Sequence, residues 1–180
     1  GCNLRCFYCQ NWDVSQKQPN QLKTIEFTRE EALKWVKEKE CKTILWSYTE
    51  PTIYPEYLIE VGEYVKAQGI SNVICTAGFI NPEPLKDICK VTEAFAVTLK
   101  AFNDKFYQDI CGQTSYKPVL KALETIKAEG KWLEIVHLIV PAYNDNLAEI
   151  KQMCQWLYKN LGADTPLHIG RFSPSYKLKT

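Results

Sequence analysis

The chain has 180 residues, 46% of them hydrophobic and 24% charged, with a formal net charge of +1. No apolar run approaches the ~20 residues that a membrane-spanning helix needs, and no basic run or Lys/Arg stripe marks a phosphate-tracking surface, so neither a membrane nor a nucleic-acid partner is expected. Eight cysteines are too few for a disulfide-stapled secreted scaffold, and with no signal peptide to send the chain elsewhere a reducing cytoplasm is the expected setting.

The chain opens Gly-Cys-Asn-Leu-Arg-Cys-Phe-Tyr-Cys, which places Cys2, Cys6 and Cys9 in one short loop with Tyr8 immediately before the last. A cubane iron-sulfur cluster is normally held by four thiolates, one per iron, so a loop offering three leaves one iron open to a ligand from outside the protein. Structural zinc is the first alternative, but a closed zinc site wants four Cys or His ligands. The next cysteine is Cys41, beyond a long polar stretch, and both histidines, His137 and His168, lie far downstream. Cys41, Cys75, Cys89, Cys111 and Cys154 are scattered singly and are expected to be small buried hydrophobes, with Cys75 set apart by its position at a strand end.

Short apolar runs then alternate with amphipathic stretches, the pattern of a parallel α/β architecture. Thr28 to Glu40 carries a Thr-x-x-Glu capping box (Thr28, Glu31) ahead of apolar Ala32, Leu33, Trp35 and Val36, and predicts a helix. Thr43 to Trp46 predicts a buried strand. A helix beginning near Pro55 and stopping at Gly69 leads to a strand at Val73 to Thr76. The unit repeats: helix Pro82 to Val91, strand Ala94 to Leu99, helix Lys117 to Ala128, strand Trp132 to Val140, helix Asn146 to Leu161, strand Leu167 to Phe172. In a barrel of parallel strands the chemistry sits in loops after the C-terminal strand ends. One such loop, Ser47-Tyr48-Thr49-Glu50-Pro51, holds a carboxylate in a stretch bounded by proline.

The cysteine loop resembles that of the radical S-adenosylmethionine (SAM) superfamily. Cys9-Gln-Asn-Trp12, Tyr48-Thr-Glu-Pro-Thr52, Leu99-Lys-Ala-Phe102, Phe106-Tyr107, Cys111-Gly112, Ile139-Val-Pro141, Asn144-Asp145 and His168-Ile-Gly-Arg-Phe172 run in one order. Together they look like the AmmeMemoRadiSam-system radical SAM enzymes, relatives of pyruvate formate-lyase activating enzyme. The resemblance implies a partial (β/α)6 TIM-like barrel whose first strand is missing from this chain, so that residues 1–180 form a radical SAM core domain truncated at both ends. It implies a [4Fe-4S] cluster on Cys2, Cys6 and Cys9, with SAM on the open iron. Tyr8 is expected near the adenine, Thr49 and Glu50 at the amino-acid end, Lys100 near the cofactor carboxylate, and Thr76 among the cofactor contacts.

The chain departs from the family pattern at Ala77, Thr98 and Ser173, where the family usually has Asn, Asp and His. By the resemblance to the activating enzymes, acidic side chains at the positions of Cys75 and Thr98 help hold a monovalent cation beside the cofactor carboxylate and the missing histidine contacts the ribose, so those contacts are expected to differ here. Arg171 is expected to be a further cofactor residue, on the argument that a buried Arg needs an anionic partner and that strand alternation turns only one of His168 and Arg171 inward. His137 is expected to be a satisfied core histidine. By resemblance, the activity is reductive cleavage of SAM to methionine and a 5'-deoxyadenosyl radical that abstracts hydrogen from a protein or a small molecule. A reductant such as flavodoxin or ferredoxin is implied, and a non-catalytic iron-sulfur carrier or scaffold is the alternative.

Overall fold

The structure is a computed structural model and describes residues 1–179. Five strands, β1 (Thr43–Trp46), β2 (Ser71–Thr76), β3 (Ala94–Thr98), β4 (Trp132–Ile139) and β5 (Leu167–Arg171), form one sheet in sequence order. All four pairings are parallel. The helices between them are α3 (Pro55–Lys66), α4 (Pro82–Val91), α6 (Lys117–Ala128) and α7 (Leu147–Leu161); α2 (Arg29–Glu38) precedes β1. Among the described residues no helix is long and apolar enough to cross a membrane.

The capping box forms as the sequence predicts, with the Glu31 amide donating to Thr28 Oγ1 at 3.3 Å and the Thr28 amide to Glu31 Oε2 at 2.8 Å. Helix α2 ends two residues earlier than expected because Glu40 adopts a positive φ of 53° and the Cys41 amide folds back onto Val36 O. Two short helices were not expected, α1 (Trp12–Ser15) and α5 (Asp104–Asp109). Asn103 caps α5 by accepting from the Phe106 amide at 2.7 Å, and six residues are too few to show a helical apolar period.

One face of the sheet is sealed by the helices. Ile74, Phe95, Val97 and Ile135 on that face are essentially inaccessible. Buried Asn72 joins three elements there: its Nδ2 donates to Gly62 O and Val91 O, at the ends of α3 and α4 packing, and its Oδ1 accepts from Trp46 Nε1 at 3.0 Å. Gly62 is required at this crossing, since a Cβ would lie 3.0 Å from Val91 Cγ2. The opposite face, bearing Cys75, Thr98, Val136 and Leu138, is open and lines a cavity. Alternation along each strand thus separates an apolar packing face from a face carrying polar and thiol groups. Cys89 and Cys111 are buried as expected, whereas Cys41 and Cys154 are exposed, Cys154 on the outer side of α7 and Cys41 just before β1.

Candidate functional site

The cysteine loop lies across the C-terminal strand ends, and its backbone is tied down along its length. The Arg5 amide donates to Cys111 O at 2.7 Å and the Phe7 amide to Ile110 O at 3.0 Å, while Phe7 O accepts from the Lys177 and Leu178 amides. Gln113 Nε2 donates to Asn3 O at 2.6 Å, and Asn3 Nδ2 donates to Phe79 O at 2.7 Å. Arg5 folds back to donate to Cys2 O and Leu4 O. With Leu4 fully buried as the anchor, Cys2, Cys6 and Cys9 are presented on one side of the loop.

All three cysteines line an open cavity of about 340 Å³ on the uncovered face of the sheet. Tyr8, Thr49, Glu50, Thr76 and Lys100 line the same cavity, as do Cys75 and Thr98. Residues from the loop and from the ends of β1, β2 and β3 therefore meet around one space. Arg171 does not join them. It is exposed, and its register partner Ile139 follows the cavity-lining Leu138, so both point to the opposite face of the sheet. The expected burial of Arg171 is not met, and His168 faces the open side instead, paired at 2.8 Å with Glu134. His137 is buried as expected, its Nδ1 bonded to Leu99 O at 2.7 Å, although its Nε2 has no partner among the described residues.

Glu50 is buried at 2% exposure and holds the cavity wall together. Its Oε1 accepts from Thr52 N at 3.2 Å, Thr52 Oγ1 at 2.8 Å and Thr76 Oγ1 at 2.5 Å, while its Oε2, among the described residues, accepts only from the Ala77 amide at 2.8 Å. A carboxylate oxygen carries two acceptor positions, so Oε1 is filled and Oε2 retains one for a further donor. Thr76 completes the wall by accepting from the Gly78 amide at 2.9 Å.

Lys100 is the sole cationic side chain lining the cavity among the described residues. Burial alone would lower its pKa, but it is raised above the ordinary lysine value, first through negative charge at Cys6. Its Nζ sits 5.9 Å from the Tyr8 ring centroid. The backbone around it is clamped: the Lys100 amide donates to Tyr107 Oη at 3.2 Å, and Lys100 O accepts from Asn144 Nδ2 at 2.7 Å. Asn144 also donates to Leu138 O and accepts from the Val140 amide at 2.6 Å, joining the ends of β3 and β4. The sequence carries Asn144 only as one letter of a motif; a buried Asn after a strand-ending Pro was the signal of a structural clasp.

The three thiols differ in environment. Burial pushes Cys2 up to about 11, against the Leu4 amide that donates to its Sγ at 3.3 Å. Cys9 Sγ lies 3.1 Å from Ser15 Oγ. Cys6 falls below the ordinary thiol range because the Cys111 thiol interacts with it, an effect that outweighs burial and is assisted by Lys100; Cys111 is raised in turn. This places a fourth thiol against the loop, a neighbour that no local spacing announced. Among the described residues the buried Tyr8 hydroxyl has no well-formed partner, and burial raises its pKa well above the usual phenol value.

A cubane cluster spreads its thiolates around four irons and, with three protein ligands, leaves one open toward solvent or a ligand. Three thiols on the rim of one cavity, beside a Lys100 ammonium and a hydrogen-bonded Glu50 carboxylate, fit that group. Among the described residues no three His, Cys, Asp or Glu side chains converge as they would around a single metal ion.

A family model described as Radical SAM superfamily matches residues 1–157. The chain is 39% identical over 178 residues to an uncharacterised protein of Methanocaldococcus jannaschii, a match covering 99% of this chain and 52% of that protein. It is 31% identical over 169 residues to the pyruvate formate-lyase-activating enzyme of Clostridium pasteurianum, covering 89% of this chain and 67% of that one. The fold matches the crystal structure of Streptococcus suis SuiB bound to S-adenosylmethionine with a TM-score of 0.73 at 14% identity, over 99% of this chain and 40% of that one. The chain thus spans about half the length of the Methanocaldococcus relative.

Proposed function

The chain belongs to the Radical SAM superfamily, and from that premise we propose that it is an enzyme that binds a [4Fe-4S] cluster through Cys2, Cys6 and Cys9 and SAM in the adjoining cavity. The observation that carries this reading is the meeting of the three thiols with Lys100 and the Glu50 carboxylate around one space. A cluster held by Cys2, Cys6 and Cys9 would supply the electron for reductive cleavage of SAM to methionine and a 5'-deoxyadenosyl radical able to abstract hydrogen.

The chain's own residues do the positioning. Lys100 is the charge partner for the SAM carboxylate, a charge-assisted contact held in place by the Asn144 and Tyr107 clamps on its backbone. The open acceptor position on Glu50 Oε2 suits the SAM ammonium, and Thr49 and Thr76 border the same end. Tyr8, wedged between Phe106 and Phe172 at ring-centroid distances of 6.1 and 6.4 Å, forms the apolar wall against which an adenine packs. The neutral side chains of Cys75 and Thr98 leave Lys100 without a competing carboxylate on that wall. Arg171 has no part in the pocket.

The hydrogen donor is a protein of the glycyl-radical type or a small molecule. The name of the Clostridium relative, an activating enzyme for pyruvate formate-lyase, favours a protein. A small cytoplasmic electron carrier such as flavodoxin or ferredoxin supplies the electron.

The test is product analysis. Anaerobically reconstituted protein is reduced with dithionite in the presence of SAM, and 5'-deoxyadenosine is followed by chromatography in the wild type and in Cys6→Ala. The expected result is 5'-deoxyadenosine from the wild type alone. Wild-type protein with a full cluster and no 5'-deoxyadenosine would overturn the enzymatic reading in favour of an electron carrier.

A further inference from the structure

Burial alternates residue by residue along the cysteine loop. Leu4, Cys6 and Tyr8 are buried and line the cavity, whereas Arg5 and Phe7 between them are exposed on the opposite side. At Arg5 and Phe7 a single chain thus separates the cavity thiols from solvent. Residues 173–179 run along this outer side: the Lys177 and Leu178 amides donate to Phe7 O at 2.8 and 3.0 Å, Ser175 Oγ donates to Cys9 O at 3.2 Å, and buried Leu178 anchors the segment. Trp12 stacks on Tyr176 with 5.2 Å between ring centroids and 13° between planes. Lys177 Nζ reaches over both Phe7 and Tyr176, 5.4 and 5.2 Å from their centroids. Tyr176 takes a φ of +53°, a left-handed backbone that is costly for so large a side chain and is held by these contacts.

The outcome is an aromatic patch with cations on it, directly behind Cys6 and Cys9. Phe7 is 38% and Trp12 43% exposed, although both are large apolar side chains. The segments that build the patch, residues 5–17 and 173–179, carry Arg5, Lys17, Lys177 and Lys179 against one carboxylate, Asp13. The nearby Asp109 is already paired with Lys105. In a chain whose formal net charge is only +1, positive charge is therefore concentrated here. Exposed aromatics mark protein interfaces, and a patch of one sign of charge steers an oppositely charged partner toward it.

Resting on the cluster reading above, we propose that the outer face of the cysteine loop, formed by Arg5, Phe7, Trp12, Tyr176 and Lys177, is the docking surface for an acidic one-electron carrier protein. Position selects this occupant. SAM and the hydrogen donor share the cavity on the inner side, where reacting atoms must touch. Electron transfer requires only closeness, and its rate falls steeply with distance, so the outer side of Cys6 and Cys9 is the short way in. One electron leaves the reduced carrier and enters the cluster, no bond is made or broken, and the oxidised carrier departs. Electron-transfer encounters use small, weak interfaces, which suits a patch of this size.

The experiment measures docking and reduction together. An acidic bacterial flavodoxin is titrated calorimetrically into reconstituted wild type, Lys177→Glu and Lys90→Glu, and its photoreduced form is mixed with each in a stopped-flow cell. Lys90 is exposed on α4 and makes the same change in net charge away from the patch. Lys177→Glu is expected to raise Kd and lower the second-order rate of cluster reduction by about tenfold at low salt, a difference that shrinks to about twofold in ~0.5 M salt. Lys90→Glu is expected to stay within about twofold of wild type.

An unchanged rate and Kd in Lys177→Glu, or a loss that salt does not diminish, overturns the proposal, as does an equal loss in Lys90→Glu, which would reflect net charge alone. If Lys177→Glu takes up no cluster, Lys177→Met is read in its place, with an expected salt-sensitive loss of about threefold; no loss, or no cluster in that variant either, overturns the proposal. Wild-type protein whose cluster is reduced by dithionite but not by the flavodoxin overturns the docking surface and leaves the proposed function standing. A wild-type protein that takes up no cluster overturns the proposed function itself, and the inference with it.

Discussion

The two faces of the sheet are made from alternate residues of the same strands, yet they solve different problems. On the helix-covered face Ile74, Phe95, Val97 and Ile135 are apolar and fully buried, and of the buried polar residues there Asn72 has its amide satisfied by three partners while His137 is bonded through Nδ1 to Leu99 O. On the open face Cys75, Thr98, Val136 and Leu138 remain partly accessible, and the buried polar groups cluster at the strand ends around Glu50, Thr76 and Asn144. The first face supplies hydrophobic stability, which scales with apolar area removed from water. The second supplies a shaped, polar space whose groups are fixed by hydrogen bonds rather than by packing density.

Substitutions on each face test that division. Phe95→Ala empties the packing face and is expected to cost about 3–5 kcal/mol in urea unfolding, against about 1 kcal/mol for Val136→Ala on the open face of the neighbouring strand. Equal losses would erase the distinction between the faces. Asn144→Ala is expected to cost on the order of 3 kcal/mol, since it strands the Val140 amide and the carbonyls of Leu138 and Lys100. It should also weaken SAM binding in a calorimetric titration by loosening Lys100.

Thr76→Val keeps the shape of the side chain and removes the short bond to Glu50, for an expected loss of about 2 kcal/mol. A loss near zero would mean that Glu50 does not brace the cavity wall. His168→Ala should be the smallest effect, under about 1 kcal/mol, because its pair with Glu134 is solvent-exposed. Glu134 itself sits below the ordinary carboxylate range, first through the Trp132 indole and then through His168. Whatever stability that depressed value carries is present above the unfolded pKa and fades as pH falls through the folded one, so the His168→Ala difference should shrink in acid.

Much of this division could be read from the residues. The strand-helix alternation, the Thr28 capping box and the helix stops predict the elements to within a residue or two at most ends, because apolar period and capping chemistry are local signals. The cavity-lining set of Cys2, Cys6, Cys9, Tyr8, Thr49, Glu50, Thr76 and Lys100 follows from strand ends and motif resemblance, and all eight meet in the structure. Arg171 went astray because alternation says that two residues of a strand oppose each other, not which of them faces the cavity; only the register with Val136 and Leu138 decides that. Cys111 was hidden for a different reason. Its partner Cys6 lies in another part of the sequence, and the pair exists only because the turn at Gly112 folds onto the cysteine loop.

The central claim is that one cavity on the open face holds both cluster and cofactor, and the EPR spectrum of reduced, reconstituted protein with and without SAM tests it most directly. The account predicts a [4Fe-4S] signal that changes shape when SAM is added and whose response is lost or weakened in Lys100→Met. A cluster signal indifferent to SAM in the wild-type protein would contradict it.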